Sequence, residues 1–216
     1  MGTPGQAIRR PLFANAGDNQ RLVWALWIIV TVIGAVVGTL VAWQVRVFVA
    51  GDPAFSGQPA RYAATVLQAI IASGAQWLLL RRLGLDLDRW VPASVIGNLL
   101  AAIVVIPSVL RIADSAAGAA VISPGTAVFA GAAALAAAGL IVGLAQALVL
   151  RESAGNVAWA WIPATVVGGA LAGALTTALS AQLFGFPYFV TLSLVAATGG
   201  LLAAASQAPV FLRVIR

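Results

Sequence analysis

Six long apolar stretches constrain the fold of this chain more than any other feature of its sequence. Each is long enough to cross the hydrocarbon core of a bilayer as a helix, which takes about 20 residues. Because the stretches are continuously apolar and do not alternate, they argue against a membrane β-barrel. We therefore predict an all-α integral membrane protein with six transmembrane helices, over Leu22–Val45, Tyr62–Leu80, Trp90–Leu110, Thr126–Leu150, Val157–Leu183 and Pro187–Leu212.

The composition restricts the possible functions. The chain is 62% hydrophobic and 8% charged, and it contains neither cysteine nor histidine. A soluble domain carries about three times that share of charge. No charged residue falls inside a predicted span, whereas proton-coupled transporters and enzymes usually need ionisable groups there or in a site. We therefore expect no enzymatic activity, no catalytic residue, no metal site and no required cofactor.

The distribution of arginine predicts the orientation in the membrane, because basic loops stay on the cytoplasmic side. Only Arg46, Arg61 and Arg111 lie on one side of the predicted helices. The other nine lie on the opposite side: Arg9, Arg10, Arg21, Arg81, Arg82, Arg89, Arg151, Arg213 and Arg216. Both termini are therefore expected in the cytoplasm of a bacterium, with the chain in the inner membrane. Arginines scattered along membrane edges argue for contact with lipid and against nucleic-acid binding.

The chain is expected to form a short tail and one domain. Residues 1–19 are polar and rich in glycine, which is typical of a cytoplasmic N-terminal tail. The first apolar stretch is too long for a secretory signal and lacks a convincing cleavage site, so we interpret it as a retained helix. Residues 20–216 then form a single six-helix transmembrane domain.

An internal threefold repeat is the strongest pattern in the sequence. Trp27–Gly34, Trp90–Gly97 and Trp161–Gly168 each begin with Trp, carry a hydroxyl residue four positions later and end in Gly. The alternate helices end in a Gln followed by Arg, at Gln76, Gln146 and, more loosely, Gln207. We therefore predict three tandem two-helix repeats, over about 20–83, 84–153 and 154–216. Since every copy has the same polarity, the pseudo-threefold axis should run along the membrane normal.

The repeated polar residues form the candidate site. We expect each Gln amide to bond a hydroxyl or a backbone carbonyl of a neighbouring helix, because an unpaired polar group in hydrocarbon is costly. The alternative is that the glutamines hold a ligand such as a lipid, a quinone or a pigment. The residues concerned are Gln76, Gln146, Gln207, Thr31, Ser94 and Thr165.

Other repeated residues have structural interpretations. Small residues lie three and seven positions before each Gln, on the same helical face. They favour close packing of helices within the bundle; the alternative is that they dock a helix of another protein. Trp27, Trp90 and Trp161 are expected in the interfacial aromatic belt. Pro107 and Pro209 should kink their helices or mark their ends.

These motifs resemble those of a group of bacterial polytopic membrane proteins with tandem two-helix repeats. The resemblance is carried by Ser73–Arg81 and Gly143–Arg151, which have a small residue, Gln and a terminal Arg in the same register, each followed by a Trp-initiated helix. The group is mostly uncharacterised. The resemblance implies the division into repeats and the bacterial inner membrane, and it implies no activity.

Two functions are compatible with these features. The first is an accessory or structural subunit of a larger membrane complex, such as an energy-transducing one, which would contribute contacts to lipid, pigment or other membrane protein subunits. The second is a small-solute-binding or transport module of the inner membrane. The absence of ionisable groups from the spans and the stripes of small residues favour the first, whereas the second needs a cavity.

Overall fold

A computed structural model describes residues 19–50, 58–85, 87–117, 123–183 and 185–215 of the chain. The described part is helical. A π-helical turn at Ala101–Val105 joins the third and fourth helices, and a 3-10 segment at Gly155–Ala160 joins the fifth and sixth. The predicted tail lies outside the described residues except for Asn19. The α-helices are α1 (Gln20–Ala50), α2 (Gln58–Arg82), α3 (Trp90–Leu100), α4 (Ile106–Ala117), α5 (Pro124–Ala154), α6 (Trp161–Gln182) and α7 (Tyr188–Val214).

Five helical stretches are long and apolar enough to cross a membrane. The longest, Pro124–Gln182, spans 59 residues and contains both α5 and α6. At about 1.5 Å per residue, a straight helix of that length would far exceed the thickness of a bilayer. The chain reverses instead at the 3-10 segment, where Gly155 adopts a φ of 57° that a side chain would strain. The predicted fourth span and, except for Leu183, the predicted fifth span therefore both lie within this stretch. The five stretches are Gln20–Phe48, Ala60–Arg82, Trp90–Arg111, Pro124–Gln182 and Tyr188–Val214.

The long helices form a closed ring in which each contacts the next. Going around it, α1 contacts α2, then follow α3, α5, α6 and α7, and α7 contacts α1 again. Neighbours in the ring run antiparallel. In α1 and α2, for example, Gly34 lies against Ala72, and Gly38 lies against Gln68. The residue numbers of α2 therefore decrease as those of α1 increase.

Glycines allow the closest approach in this ring, between α5 and α6. A Cβ atom added at Gly139 would lie 2.5 Å from the carbonyl oxygen of Thr165, closer than real side chains come. Added Cβ atoms at Gly169 and Gly173 would overlap the backbone of Leu135 and Gly131 in the same way. The hydrophobic effect does not drive helices together inside a bilayer. Close van der Waals contact of this kind is therefore what holds them together. The packing role predicted for the small residues before each Gln is confirmed at Gly139.

The helix that begins at Trp90 is modified around Pro107 as the sequence suggests, though it does not end there. The backbone N–H of Ile106 donates to the carbonyl of Ala101, five residues back, and this wider turn directly precedes the proline. Proline has no N–H with which to continue the ordinary helical bonds, and π-helical turns are one way in which helices accommodate such a defect. The helix then continues as α4. Pro209 lies inside α7, which continues to Val214.

The predicted position of the repeated tryptophans is wrong. Trp27, Trp90 and Trp161 are not in an interfacial belt, since at most 1% of each is exposed. Arg46 and Arg61, which lie outside the predicted spans, belong to α1 and α2, because both helices extend past the apolar stretches. Local hydropathy alone does not reveal which way a helix faces or how far it extends beyond its apolar part.

Candidate functional site

Each predicted Gln is hydrogen-bonded to a hydroxyl residue of the neighbouring helix. The Nε2 atom of Gln76 donates to Oγ1 of Thr31 at 3.2 Å, and that of Gln146 donates to Oγ of Ser94 at 2.9 Å. The third amide, of Gln207, donates to Oγ1 of Thr165 at 3.3 Å. Of the two kinds of partner expected, a hydroxyl or a backbone carbonyl, each amide has a hydroxyl. It joins α1 to α2, α3 to α5 and α6 to α7.

Three tryptophans meet between these pairs. The ring of Trp161 stands edge-on to those of Trp27 and Trp90, with centroids 5.6 and 5.8 Å apart. Phe211 stacks on Trp27 at 4.4 Å. Edge-on and offset arrangements of this kind are the favoured ones for aromatic rings. We call this region, with the three amide–hydroxyl pairs, the tryptophan end of the bundle.

Some buried polar atoms at the tryptophan end have a hydrogen-bond partner and others have none. The indole Nε1 of Trp161 donates to Oε1 of Gln146 at 2.8 Å, so that this Gln uses both ends of its amide. The indole Nε1 atoms of Trp27 and Trp90 are buried without a partner, as is Oε1 of Gln207. Gln146 is therefore the most constrained of the three glutamines.

The chemistry available at the tryptophan end is limited to neutral hydrogen bonds. Its three amides are buried and each donates to a hydroxyl, and its aromatic rings fill the space between the helices. The arrangement fits a structural tie better than a ligand site, because a ligand would have to displace these bonds. Among the described residues, no group of three or more Asp, Glu, His or Cys side chains comes together as metal ligands would.

A cavity of about 420 Å³ lies at the opposite end of the bundle. Arg46 of α1 lines it, 19 residues after Trp27, which is about 28 Å along the helix axis. Its walls come from α1, α2, α7, the π-helical turn and the start of α4. The volume is in the range of small-molecule sites, which is about 300–1,000 Å³. We call this region the arginine end; its polar lining includes Thr39, Trp43, Arg46, Arg61, Tyr62 and Gln68.

The polar wall of the cavity contains a fourth amide–hydroxyl pair. The Nε2 atom of Gln68 donates to Oγ1 of Thr39 at 2.9 Å, about two helical turns from the pair formed by Gln76 and Thr31. Trp43, which lines the same cavity, has a buried Nε1 without a partner, and its ring lies 5.9 Å from that of Tyr188.

Sequence reasoning missed the arginine end because its residues are not repeated. The positions that correspond to Gln68 in the other predicted repeats hold Ala138 and Gly199, eight residues before their Gln. A search limited to repeated polar residues passes over such a position. The sequence does contain a different signal: Gln68 and Thr39 are a pair of polar residues in the first predicted repeat, where the other repeats have small residues.

Charged residues beyond the tryptophan end lie on the surface. The guanidinium of Arg81 lies 5.2 Å from the ring centre of Trp77, and that of Arg151 lies 5.7 Å from that of Trp159. Arg89 forms an exposed ion pair with Glu152. These contacts suit anchoring at a membrane surface and form no enclosed site.

No protein-family model matches the chain, and no curated protein or solved structure matches it either.

Proposed function

We propose that this chain is a non-enzymatic accessory or structural subunit of a larger complex in the bacterial inner membrane. The observation that carries the proposal is the closure of the helix ring at the tryptophan end. There Trp27, Trp90 and Trp161 fill the space between the helices, and three interhelical amide–hydroxyl bonds surround them. A bundle closed in this way suits a rigid scaffold better than a conduit.

The same proposal includes six membrane crossings in three tandem repeats. Three matching contacts support it: a Cβ atom added at Gly34, Gly97 or Gly168 would in each case lie 3.0 Å from a Cα atom of the paired helix. Those Cα atoms belong to the residues four before the three glutamines. Contacts repeated in this register favour a pseudo-threefold axis along the membrane normal, as parallel repeats would have.

The proposed orientation places both termini and the tryptophan end on the cytoplasmic side. Because the chain has no cysteine, each introduced thiol is unique. We expect the exposed Ser153→Cys to react with a membrane-impermeant maleimide only in inverted vesicles, and the exposed Gln182→Cys only in intact spheroplasts. Labelling of both from the same side would contradict the antiparallel crossing of α5 and α6.

Purification from the native membrane in mild detergent tests the accessory role. We expect other membrane protein chains to remain bound in fixed stoichiometry, as identified by mass spectrometry, with or without a pigment seen by absorption. A carboxy-terminally tagged chain that purifies alone under every mild condition would contradict the proposal. Its lipid-facing surface offers room for partners, since residues such as Ile29, Ile33 and Val37 are exposed along one helix.

A second candidate is a small-solute-binding or transport module, and the cavity at the arginine end favours it. The two candidates differ in what the chain does alone. Saturable uptake by vesicles that contain only this chain would establish the second and end the first.

A further inference from the structure

We propose that the cavity at the arginine end binds a phosphate-type anion, carried by the headgroup of a membrane amphiphile. The inference depends on the cavity and not on the accessory role, so that either can fail without the other. Its basis is the combination of positive charge, hydrogen-bond donors and an apolar wall in one partly open cavity.

The charge of the lining favours an anion. Arg46 reaches the cavity from α1 and Arg61 from α2. Guanidinium groups bind phosphate and carboxylate oxygens through two parallel N–H donors, which makes arginine the usual residue for such anions. Two of them on separate helices can hold one anion from two sides.

The neutral polar groups of the lining are rich in donors. The buried Nε1 of Trp43 has no partner, and an indole N–H can only donate. Tyr62 and Thr39 add hydroxyl groups to the same wall. The bond between Gln68 and Thr39 ties α1 to α2 beneath the two arginines, which fixes the separation of the helices that carry them.

The remaining wall points to an amphiphile as the source of the anion. Ile106, Pro107 and Leu192 line the cavity with apolar surface. The two arginines lie within two residues of the outer ends of the candidate spans, Gln20–Phe48 and Ala60–Arg82. This is the depth at which a lipid carries its phosphate beside its acyl chains. A free phosphate would use the arginines and leave the apolar wall bare.

Lipid retention tests the proposal on the full chain. The protein is reconstituted in nanodiscs with equal amounts of phosphatidylglycerol and phosphatidylcholine, released into mild detergent, and examined by native mass spectrometry. We expect the wild type to retain one phosphatidylglycerol in preference to phosphatidylcholine. Arg61→Gln should reduce that retention about tenfold or more, as loss of a charge-assisted hydrogen bond does. Arg61→Lys, which keeps the charge without the paired donors, should fall between.

Arg111→Gln is the matched control. It removes the same charge from the same predicted side of the membrane, at a residue that does not line the cavity. Retention equal to wild type is expected there, and thermal melting of each variant shows that it is folded. A second arm titrates delipidated protein with inorganic phosphate by calorimetry.

The outcomes separate the site from the source. Arg61-dependent binding of inorganic phosphate without retention of lipid would overturn the amphiphile as the source. Equal retention of both lipids, or equal loss in Arg61→Gln and Arg111→Gln, would overturn the site itself. Preferential retention that depends on Arg61 and survives in Arg111→Gln would establish it.

Discussion

The two ends of this helix bundle are built from the same kinds of residue and differ in what those residues do. At the tryptophan end, three aromatic rings and three amide–hydroxyl pairs fill the space between the helices. At the arginine end, one amide–hydroxyl pair borders a cavity, and a tryptophan leaves its N–H unpaired. Residues that recur in all three predicted repeats fill the tryptophan end, whereas residues that occur in only one predicted repeat border the cavity at the arginine end.

The difference follows from side-chain volume at corresponding positions. Trp27, Trp90 and Trp161 supply three large side chains at one depth, and they fill the space on which the helices converge. Toward the arginine end, Gly173 of α6 lies against Gly131 of α5, so that these two helices stay close together. The helix that begins at Trp90 has its π-helical turn at the same end, and Ala102 within that turn and Pro107 just after it line the cavity.

Truncation of a tryptophan should show the largest contrast between the ends. We expect Trp161→Ala to lower the free energy of unfolding by about 3–5 kcal/mol, because it removes contacts with two rings and a hydrogen bond and leaves a large void. Trp43→Ala, beside an existing cavity, should cost about 1–2 kcal/mol. Unfolding in mixed micelles, followed by circular dichroism, measures both.

Trp24→Ala is the control for these truncations, because Trp24 lies on the outside of α1 with 42% of its surface exposed. It should change stability by less than about 0.5 kcal/mol. Equal losses for Trp161→Ala and Trp43→Ala would contradict the distinction between a filled end and an open one.

The three repeated glutamines should differ in their contribution to stability according to the bonds they form. Gln146 forms two side-chain bonds, to Ser94 and to Trp161, so we expect Gln146→Leu to cost about 1–3 kcal/mol. Gln76→Leu removes one such bond and should cost about 1 kcal/mol. The same unfolding titration ranks them.

A double-mutant cycle tests the origin of that ranking. In a chain that already carries Gln146→Leu, the further change Trp161→Phe removes an indole N–H that has lost its acceptor. It should therefore cost less there than in the wild type, by about 1 kcal/mol. If Gln146→Leu leaves the bundle intact while a bound pigment or quinone is lost, the glutamines form a ligand site and not a tie.

The amide–hydroxyl pair at the arginine end should matter less for stability than its counterpart in the same helices. Water in the cavity can replace the bond between Gln68 and Thr39, so we expect their coupling energy to be below about 0.5 kcal/mol. The buried pair of Gln76 and Thr31 should show about 0.6 kcal/mol or more. Alanine double-mutant cycles on the two pairs give both values, and the reverse order would mean that the arginine end is as dry as the tryptophan end.

Much of the tryptophan end follows from the sequence. The spacing of each Gln from its Arg and of each hydroxyl from its Trp places amides and hydroxyls at similar depth, and antiparallel neighbours then bring them together. That reasoning predicted that each Gln bonds a hydroxyl or a backbone carbonyl of a neighbouring helix, and Gln76, Gln146 and Gln207 each bond a hydroxyl. It failed for the tryptophans because an aromatic residue near the start of a membrane helix has the same local pattern whether it faces headgroups or the bundle centre.

The arginine end does not follow from the sequence, because a cavity consists of what the side chains leave empty. The cavity exists because of the spacing between four helices, and hydropathy does not predict that spacing. Arg46 and Arg61 lie outside the predicted spans, since the apolar stretches end at Val45 and begin at Tyr62 while the helices continue. Only the unmatched Gln68 and Thr39 distinguished this end in the sequence.

The smallest effect is expected from the ion pair between Arg89 and Glu152, on the surface beyond the tryptophan end. The side chains are 78% and 62% exposed and 3.3 Å apart, so water and salt screen their attraction. Arg89→Gln should change the free energy of unfolding by no more than about 0.5 kcal/mol, and raising the salt concentration should remove even that. Arg61→Gln should have as little effect on stability but a large one on lipid retention. Arginines at the two ends would then differ in function and not in their contribution to folding, and a large, salt-resistant loss for Arg89→Gln would contradict this.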